Sequence, residues 1–283
     1  MTAETPPLFK LEQRWRNRRD FYVPPDARFN PRHFGVEVID EPSAKAFVRE
    51  NHYAHSVGPI RLAVGLQHKP GVAPSQLVGV AAFTVPMNQN AIPAHTGMAP
   101  HQGCELGRLV LLDGPCGFNA ESWFVSRAFQ ILRQEKPQIE TVISYSDPVP
   151  RLASDGSVRF RGHIGTIYQA LSARFFGRSS ARTLWLTPNA DVISERAMSK
   201  IRSRERGWRY AVEQLTAIGA PAPGENDDLG EWLSFVKRSG LLRPIKHGGA
   251  YGYCWGLSSE SRRSIDEKHP HPLPYPRNAP LAA

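Results

Sequence analysis

Residues 144–177 read SYSDPVPRLASDGSVRFRGHIGTIYQALSARFFG and join the end of one element to the start of another. The strand pattern of ETVISYSD stops at Pro148, because proline cannot donate to a β-ladder. The pattern predicts a helix from His163 to Gly177, since glycine commonly follows the last helical turn. Asp147 is therefore expected at the carboxyl end of a strand, where open α/β sheets bind ligands.

This strand-to-helix crossover predicts one pocket. If the loop 148–162 folds back, Asp147, His163 and Tyr168 line a single cleft, with Tyr168 beside the buried stripe of the helix. That stripe consists of Ile164, Ile167, Leu171 and Phe175. The alternative for Asp147 is a purely structural Asp-Pro turn, which is common in loops.

The rest of the chain alternates strand and helix patterns around this crossover. Strand patterns occur at FGVEVID, IRLAVGLQH, QLVGVAAFTV, CELGRLVLLD, RTLWLTP and AYGYCWGL, and helical patterns at SAKAFVRENHY and AESWFVSRAFQILRQ. In the second of these helices Phe124, Ala128 and Leu132 form one apolar stripe. Crossover helices require parallel neighbours, whereas short connections allow antiparallel ones. The sequence thus predicts an α/β (α+β) fold with a mixed, mostly antiparallel sheet flanked by helices.

Four segments are expected along the chain. Residues 1–29 form a basic, partly ordered arm, and residues 30–190 form the core. Residues 191–257 are a basic helical insertion followed by the final strand. Residues 258–283 are a proline-rich tail that is not expected to pack.

The composition indicates which kind of partner and which cellular compartment to expect. The formal net charge of +9 favours a polyanionic partner, nucleic acid before an anionic membrane. The three cysteines form no CxxC pair, which predicts a reducing compartment without a zinc knuckle. No apolar run approaches the roughly 20 residues that span a bilayer, and the amino terminus has no signal-peptide core. We therefore expect a cytoplasmic protein with no membrane partner.

Two short motifs in the first half of the chain hold candidate site residues. His52, Tyr53 and His55 end the first predicted helix, where a histidine often makes only a favourable contact with the helix dipole. Arg108 lies within an otherwise apolar strand. It requires a partner or a ligand there, because an unpaired buried charge is costly.

A turn rich in small residues precedes the second predicted helix. Gly114, Gly117 and Ala120 recur every three residues, which would let backbone N–H groups approach the phosphate of a ligand such as CoA. Glu121 in the first helical turn would repel a phosphate. A tight turn followed by a capped helix is therefore an equal alternative.

A basic stretch provides a candidate DNA interface. Residues 174–210 hold nine Lys or Arg against three Asp or Glu. The candidate phosphate contacts are Lys200, Arg202, Arg204, Arg206 and Arg209. Trp208 and Tyr210 are candidates for stacking on bases. The alternative is a solvated helix face with no ligand.

The chain resembles the phage Mom family over about residues 45–190. The motifs that together carry the resemblance are NHY, ELGRL with NAES, SYSDP, GHIGTIYQA and FFGRS. The resemblance implies a GNAT acyltransferase fold. It also implies transfer of a carbamoylmethyl group to the exocyclic amine of adenine in double-stranded DNA, as a phage defence against restriction. Adenine would have to leave the base stack for this reaction.

The resemblance also implies roles for particular residues. The matched catalytic residues are His52, Tyr53, Asp147 and Tyr168, and the matched cofactor-binding residues are Arg108 and Ser122, to which the glycine turn adds Gly117. Acyl-CoA, such as acetyl-CoA, is the implied cofactor. Iron is the implied metal, with His52, Tyr53 and Asp147 as candidate ligands.

The sequence departs from the usual GNAT pattern in one respect and leaves two other functions open. The pyrophosphate loop Arg/Gln-x-x-Gly-x-Gly/Ala is not cleanly present. A conventional GNAT N-acetyltransferase acting on a small amine or a protein is the first alternative, and a catalytically inactive DNA-binding module is the second. The oligomeric state stays open, a homodimer included.

Overall fold

The computed structural model describes residues 29–69, 71, 73–117 and 119–277, together with the backbone of an amino-terminal hairpin. This antiparallel hairpin pairs Glu12–Arg16 with Arg19–Val23. The rest of the expected basic arm and the last six residues of the expected tail lie outside the described residues.

The described chain contains fourteen strands and eight α-helices. The strands are β1 (Glu12–Arg16), β2 (Arg19–Val23), β3 (Phe34–Ile39), β4 (Ile60–His68), β5 (Gln76–Thr84), β6 (Gly103–Leu111), β7 (Thr141–Ser146), β8 (Arg151–Leu152), β9 (Val158–Phe160), β10 (Arg174–Arg178), β11 (Arg182–Leu186), β12 (Val192–Ile193), β13 (Arg243–His247) and β14 (Tyr251–Gly256). The helices are α1 (Glu41–Asn51), α2 (Ala91–Thr96), α3 (Ala120–Glu135), α4 (Thr166–Ala170), α5 (Glu195–Ser203), α6 (Trp208–Thr216), α7 (Leu229–Arg238) and α8 (Ser259–Lys268).

These elements form two compact units. The second unit consists of Pro148–Gly162 and Ser179–Ala250, and the first holds the remaining described residues. The second unit is thus made from two separate insertions into the first. The insertion expected from the sequence began at residue 191 and included the final strand, whereas that strand, β14, belongs to the first unit.

The first unit is built on a seven-stranded sheet with the order β10-β14-β7-β6-β5-β4-β3. Within the described part of this sheet, β6 and β7 are parallel and every other neighbouring pair is antiparallel. One face is covered by α3 and α4, and the other by α1, α2 and α8. This is the mixed, mostly antiparallel α/β arrangement that the sequence predicts.

The parallel pair separates after a few residues. The paired part of β6 is only Gly103–Glu105, which lies beside Thr141–Ile143 of β7. Just beyond, Ser144 Oγ donates to the Leu106 carbonyl at 2.9 Å. The register between β5 and β6 then skips Gly107, which forms a β-bulge. Because bulges bend a strand, β6 turns away from β7 and opens the centre of the sheet.

Helix α3 holds one face of the sheet through the stripe predicted from the sequence. Phe124, Ala128 and Leu132 are fully buried against the sheet core. Their spacing of four residues places them on one side of the helix, so the prediction of one buried stripe is confirmed.

The prediction of one helix from His163 to Gly177 is wrong for its second half, which is a strand. Helix α4 covers only Thr166–Ala170, and the edge strand β10 follows it. Phe175 packs on the α3 face and Phe176 on the opposite face, the alternation expected of a strand. Ser172 adopts the left-handed backbone conformation, with φ of 55°, where the helix gives way to the strand.

The carboxy-terminal segment from residue 258 also differs from the prediction of an unpacked tail, because much of it packs against the rest of the first unit. Ser258 caps α8, whose Ile265 is buried beneath the sheet. Beyond the helix, the Tyr275 hydroxyl donates to the Ala173 carbonyl at 2.7 Å. The proline-rich composition did not reveal this short helix, since its apolar contacts are few.

The second unit is described by itself. Its sheet has the order β12-β11-β13, so the RTLWLTP strand lies here rather than in the main sheet as expected. A hairpin of β8 and β9 accompanies it. Helices α5, α6 and α7 share one apolar core with Trp185 of β11. Three helices thus occupy most of residues 195–238, as the predicted helical insertion requires.

Within the part of the chain that the structure describes, no helix combines the length and apolar character needed to cross a bilayer.

Candidate functional site

The point where β6 and β7 separate collects most of the residues predicted for the site. His52 caps the carboxyl end of α1. Burial lowers the pKa of its imidazole well below the usual range, and the nearby positive groups Arg108 and His163 lower it further. His52 is therefore neutral near pH 7. These residues come from α1, β6 and the segment before α4, which the sheet opening brings together.

The hydrogen bonding of His52 defines its tautomer. Its Nδ1 accepts the backbone N–H of Ala54 at 3.0 Å. Since a neutral imidazole carries one proton, that proton lies on Nε2. The ring packs on Tyr53, with 4.1 Å between the ring centroids. His52 thus presents a neutral N–H donor.

Arg108 finds the partner that its position within the strand requires. Its Nε donates to the Ser56 carbonyl at 2.7 Å, and its Nη1 donates to the Gly107 carbonyl at 2.5 Å. Both acceptors are backbone groups. Glu105, three residues earlier, has a raised pKa because it is buried, and the positive charge of Arg108 opposes that shift. Arg108 therefore ties the end of α1 to the bulge of β6.

Tyr168 occupies the opening in the sheet as a buried phenol. Burial raises its pKa to about 12, and the hydrogen bond to the Ser144 side chain opposes this rise. Tyr53, Glu105 and Arg108 are close enough to contribute to the same pKa. At neutral pH Tyr168 is consequently protonated. Its ring packs against Tyr253 and Trp255, which restrict its movement.

Asp147 joins this region through the crossover loop. Its carbonyl accepts the N–H of His163 at 2.7 Å, so the chain that leaves at Pro148 returns to the end of β7. Gly162 enables the return, because its φ is +78° and a Cβ there would lie 2.4 Å from the Pro148 carbonyl oxygen. The expectation that the loop 148–162 folds back is confirmed.

The chain matches the Mom protein family over residues 33–219, which is more than half its length. The chain belongs to the Mom protein family. The matched range contains the residues gathered where β6 and β7 separate. No functionally curated protein matches the chain significantly.

Several solved structures resemble this Mom-family chain at low overall similarity. A GNAT family N-acetyltransferase, YhbS from Escherichia coli, in complex with CoA shares 16% identity, with a TM-score of 0.30 over 41% of this chain and 64% of that protein. A tandem GNAT protein from the clavulanic acid biosynthesis pathway shares 9% identity, with a TM-score of 0.40 over 80% of this chain and 99% of that protein. Malonyl-CoA decarboxylase from Rhodopseudomonas palustris shares 13% identity, with a TM-score of 0.33 over 84% of this chain and 59% of that protein. Similarity at this level does not extend to ligands or activity.

The turn before α3 makes local hydrogen bonds at the residues predicted to hold a cofactor phosphate. Asn119 adopts a left-handed conformation and makes no side-chain cap. The Ser122 hydroxyl donates to the Asn119 carbonyl at 3.1 Å. The Gly117 carbonyl accepts the N–H of Ala120. A cofactor phosphate would have to compete with these local bonds, so the roles of Gly117 and Ser122 stay predictions.

The predicted iron ligands do not fit a metal in this geometry. A metal-binding histidine normally donates its second ring N–H to an acceptor. His52 does the reverse, because its Nδ1 accepts an N–H and its Nε2 therefore keeps its proton. Across the described residues, no three His, Cys, Asp or Glu side chains come together in a way that could hold a metal ion. The expectation of iron bound through His52, Tyr53 and Asp147 is therefore not supported.

The predicted set lacks two residues of the site, Glu105 and Ser144, both of which affect the pKa of Tyr168. His163 is predicted to line the cleft, but without a chemical role, and its charge affects the pKa of His52. Glu105 lies in the ELGRL motif, where a carboxylate next to a strand arginine could have drawn attention. Ser144 could not be found in advance, since its importance depends on where the two strands part.

A cavity of about 530 Å³ in the first unit lies on the far side of Trp255, whose ring packs against Tyr168. Its lining includes Arg133, Arg174, Trp255 and Arg262. It borders Gly256, which pairs with Thr141 at the start of β7, the end of the strand remote from Asp147. None of the predicted site residues lines this cavity.

The candidate DNA residues lie in the second unit, where a salt bridge engages one of them and a backbone carbonyl engages another. Arg202 pairs with Glu195 at 3.0 Å, and Arg204 donates to the Asp227 carbonyl at 3.1 Å. Arg204 and Arg209 lie over the Trp208 ring at 5.7 and 5.4 Å from its centroid. The stretch therefore holds an ordered group of cations around one aromatic ring.

Proposed function

We propose that this Mom-family protein modifies the exocyclic amine of adenine in double-stranded DNA, transferring a carbamoylmethyl group or a related acyl-derived group. The observation that supports this most is the cluster of His52, Tyr53, Arg108 and Tyr168 where β6 and β7 separate. A neutral imidazole and a protonated phenol beside a fixed cation suit a reaction that develops negative charge on oxygen or sulfur.

Acyl-CoA is the candidate donor of an acyl-derived group. When bound, it would supply an acyl group activated as a thioester, which the adenine amine would take as an amide with release of the CoA thiol. A carbamoylmethyl group is joined through a methylene carbon and carries an amide nitrogen, so its transfer would need a nitrogen-containing co-substrate in addition. The separation of β6 and β7 beyond Leu106 and Ser144 leaves backbone edges that could pair with an extended amide arm. Arg108 would hold a negative group of the donor or the substrate. The residues present thus fit such a donor better than they fit iron.

Each side chain would handle a proton or a charge in this proposal. The Nε2–H of His52 would donate to a carbonyl oxygen as it gains negative charge. The Tyr168 hydroxyl, with its pKa of about 12, would give a proton to the departing group. Asp147 would accept the proton that the adenine amine loses. Exclusion of water by the buried Tyr168 would protect the activated donor.

The test is mass spectrometry of nucleosides from DNA of cells that express the protein. We expect a deoxyadenosine derivative with the mass of an added acyl or carbamoylmethyl group in wild type and its loss in Asp147→Asn. The amide is nearly isosteric with the carboxylate but accepts no proton. Asp40→Asn is the matched control, because Asp40 caps the far end of α1 and asparagine caps as well.

The outcomes separate the alternatives. Wild-type levels of modified adenine in Asp147→Asn would remove Asp147 from the reaction. An acetylated protein or small amine, with unmodified DNA, would instead support a conventional GNAT N-acetyltransferase. Unmodified DNA and no acetylated product would favour a DNA-binding module.

A further inference from the structure

Two helices of the second unit are joined in a way that the proposed chemistry does not explain. Helix α5 ends at Ser203 and α6 begins at Trp208, so four residues connect them. Arg204 and Gly207 in this turn have φ of 48° and 86°, which is the left-handed conformation that glycine favours. A turn of three or four residues containing glycine is typical of helix-turn-helix motifs.

The buried faces of these helices form a three-helix core. Met198 and Ile201 of α5 pack with Val212 and Leu215 of α6. Helix α7 completes the core with Leu229, Trp232, Leu233 and Val236. The core uses only one side of α6, so the opposite side is available to a partner.

The opposite side of α6 is a continuous exposed stripe. Its members recur at three- and four-residue intervals and are Arg206, Arg209, Tyr210, Glu213, Gln214 and Ala217. Tyr210 is 67% exposed, an unusual position for so large an aromatic side chain. Glutamine, arginine and tyrosine on one exposed helix face can all donate hydrogen bonds to base edges or phosphates.

The start of α6 carries concentrated positive charge. Arg204 and Arg209 flank Trp208, which holds their guanidinium groups near the helix amino terminus. Lys200 lies close by, with its Nζ 3.8 Å from the point where a Cβ on Gly207 would lie. The positive end of the helix dipole adds to this field. Such a surface is complementary to the phosphates that border a DNA groove.

We infer that α5 and α6 form a helix-turn-helix that places α6 in the major groove of duplex DNA. Arg204, Arg206 and Arg209 contact phosphates, while Tyr210 and Gln214 face base edges. Glutamine pairs naturally with adenine, since it can both donate and accept at the adenine N6 and N7. The inference rests on the proposed function for its DNA substrate. It adds that the second unit selects sequence, whereas basic charge alone would bind all sequences alike.

The experiment selects bound duplexes from a randomised oligonucleotide pool with the full chain and sequences them. We expect a preferred motif. Gln214→Ala and Tyr210→Ala should each reduce the preference for that motif by about five-fold or more, the effect of one lost base contact. Gln134→Ala, an exposed glutamine on α3, is the matched control and should leave the preference unchanged.

Arg206→Ala should weaken binding to all duplexes and lower the slope of log affinity against log salt by about 0.9. An unchanged sequence preference in both Gln214→Ala and Tyr210→Ala would overturn the inference, as would tighter binding to single strands. Modified adenine in cellular DNA is a separate readout. Its absence despite selective binding would refute the proposed function and leave the inference standing.

Discussion

At the scale of single residues, His52 shows how a backbone contact decides side-chain chemistry. The N–H of Ala54 occupies Nδ1, so the imidazole can donate from Nε2 but has no lone pair there for a metal. Burial lowers the pKa of the ring, and the positive charge of Arg108 nearby lowers it further, so the ring stays neutral. A residue that the sequence marks as a base or a ligand therefore becomes a neutral donor.

This state of His52 predicts a dependence of stability on acid. Above pH 6.5, the ordinary pKa of histidine, neither the folded nor the unfolded form of His52 is protonated. As the pH falls below that value, the unfolded chain gains a proton that the folded protein resists. The free energy of unfolding should then fall by up to about 1.4 kcal/mol per pH unit for this group.

Urea unfolding of wild type and His52→Gln between pH 7.5 and about 5 measures this effect. All other titrating groups, including His95 whose pKa is also lowered by burial, are common to both proteins. The variant should therefore lose stability less steeply in acid. Parallel curves for the two proteins would show that His52 titrates normally.

At the scale of elements, the bulge in β6 opens the sheet for the site. Gly107 has no room for a side chain, because a Cβ would lie 2.5 Å from Thr84 Oγ1 of the neighbouring strand. Thr84 is itself buried. The close approach of β5 and β6 at this point thus depends on a glycine facing a threonine.

We predict that Gly107→Ala lowers the free energy of unfolding by about 1–3 kcal/mol, the usual cost of overpacking. Adding Thr84→Ala removes the clashing atoms and should recover most of that loss, so the double variant is more stable than additivity predicts. Gly114→Ala is the control, since a Cβ on Gly114 would meet no described atom within 4 Å. Additive losses would place the strain elsewhere.

At the scale of the whole molecule, acidic side chains pair with some of the arginines in the basic stretch of residues 174–210. Glu195 pairs with Arg202 and Glu205 pairs with Arg196 in the second unit. A net charge of +9 therefore overstates the number of cations free to meet phosphates. The two acids are therefore expected to weaken the proposed DNA contact.

Removing either acid should strengthen DNA binding. In Glu195→Gln, Arg202 becomes available to a phosphate, and the slope of log affinity against log salt should steepen by about 0.9. Anisotropy titrations of a labelled duplex at several salt concentrations measure this slope. Glu260→Gln changes the same charge on α8 of the first unit. An equal effect of both substitutions would mean that overall charge, rather than this surface, controls binding.

Sequence patterns predict the regular elements well where one periodicity dominates. The stripe of α3 and the strands of the main sheet follow directly from apolar spacing. The segment after Ala170 is the exception, because Leu171 and Phe175 also fit a helical spacing of four. Pairing with β14 makes β10 a strand, and that partner lies more than seventy residues further along the chain.

For this protein, the sequence by itself determined the class of fold, the family and the residues worth examining, since these depend on local periodicity and on motifs. Only the tertiary structure decided what those residues can do. The tautomer of His52, the buried phenol of Tyr168 and the salt bridges of the basic helices all depend on contacts that form only in the folded chain. Such contacts set desolvation and hydrogen bonding, which control protonation and available charge.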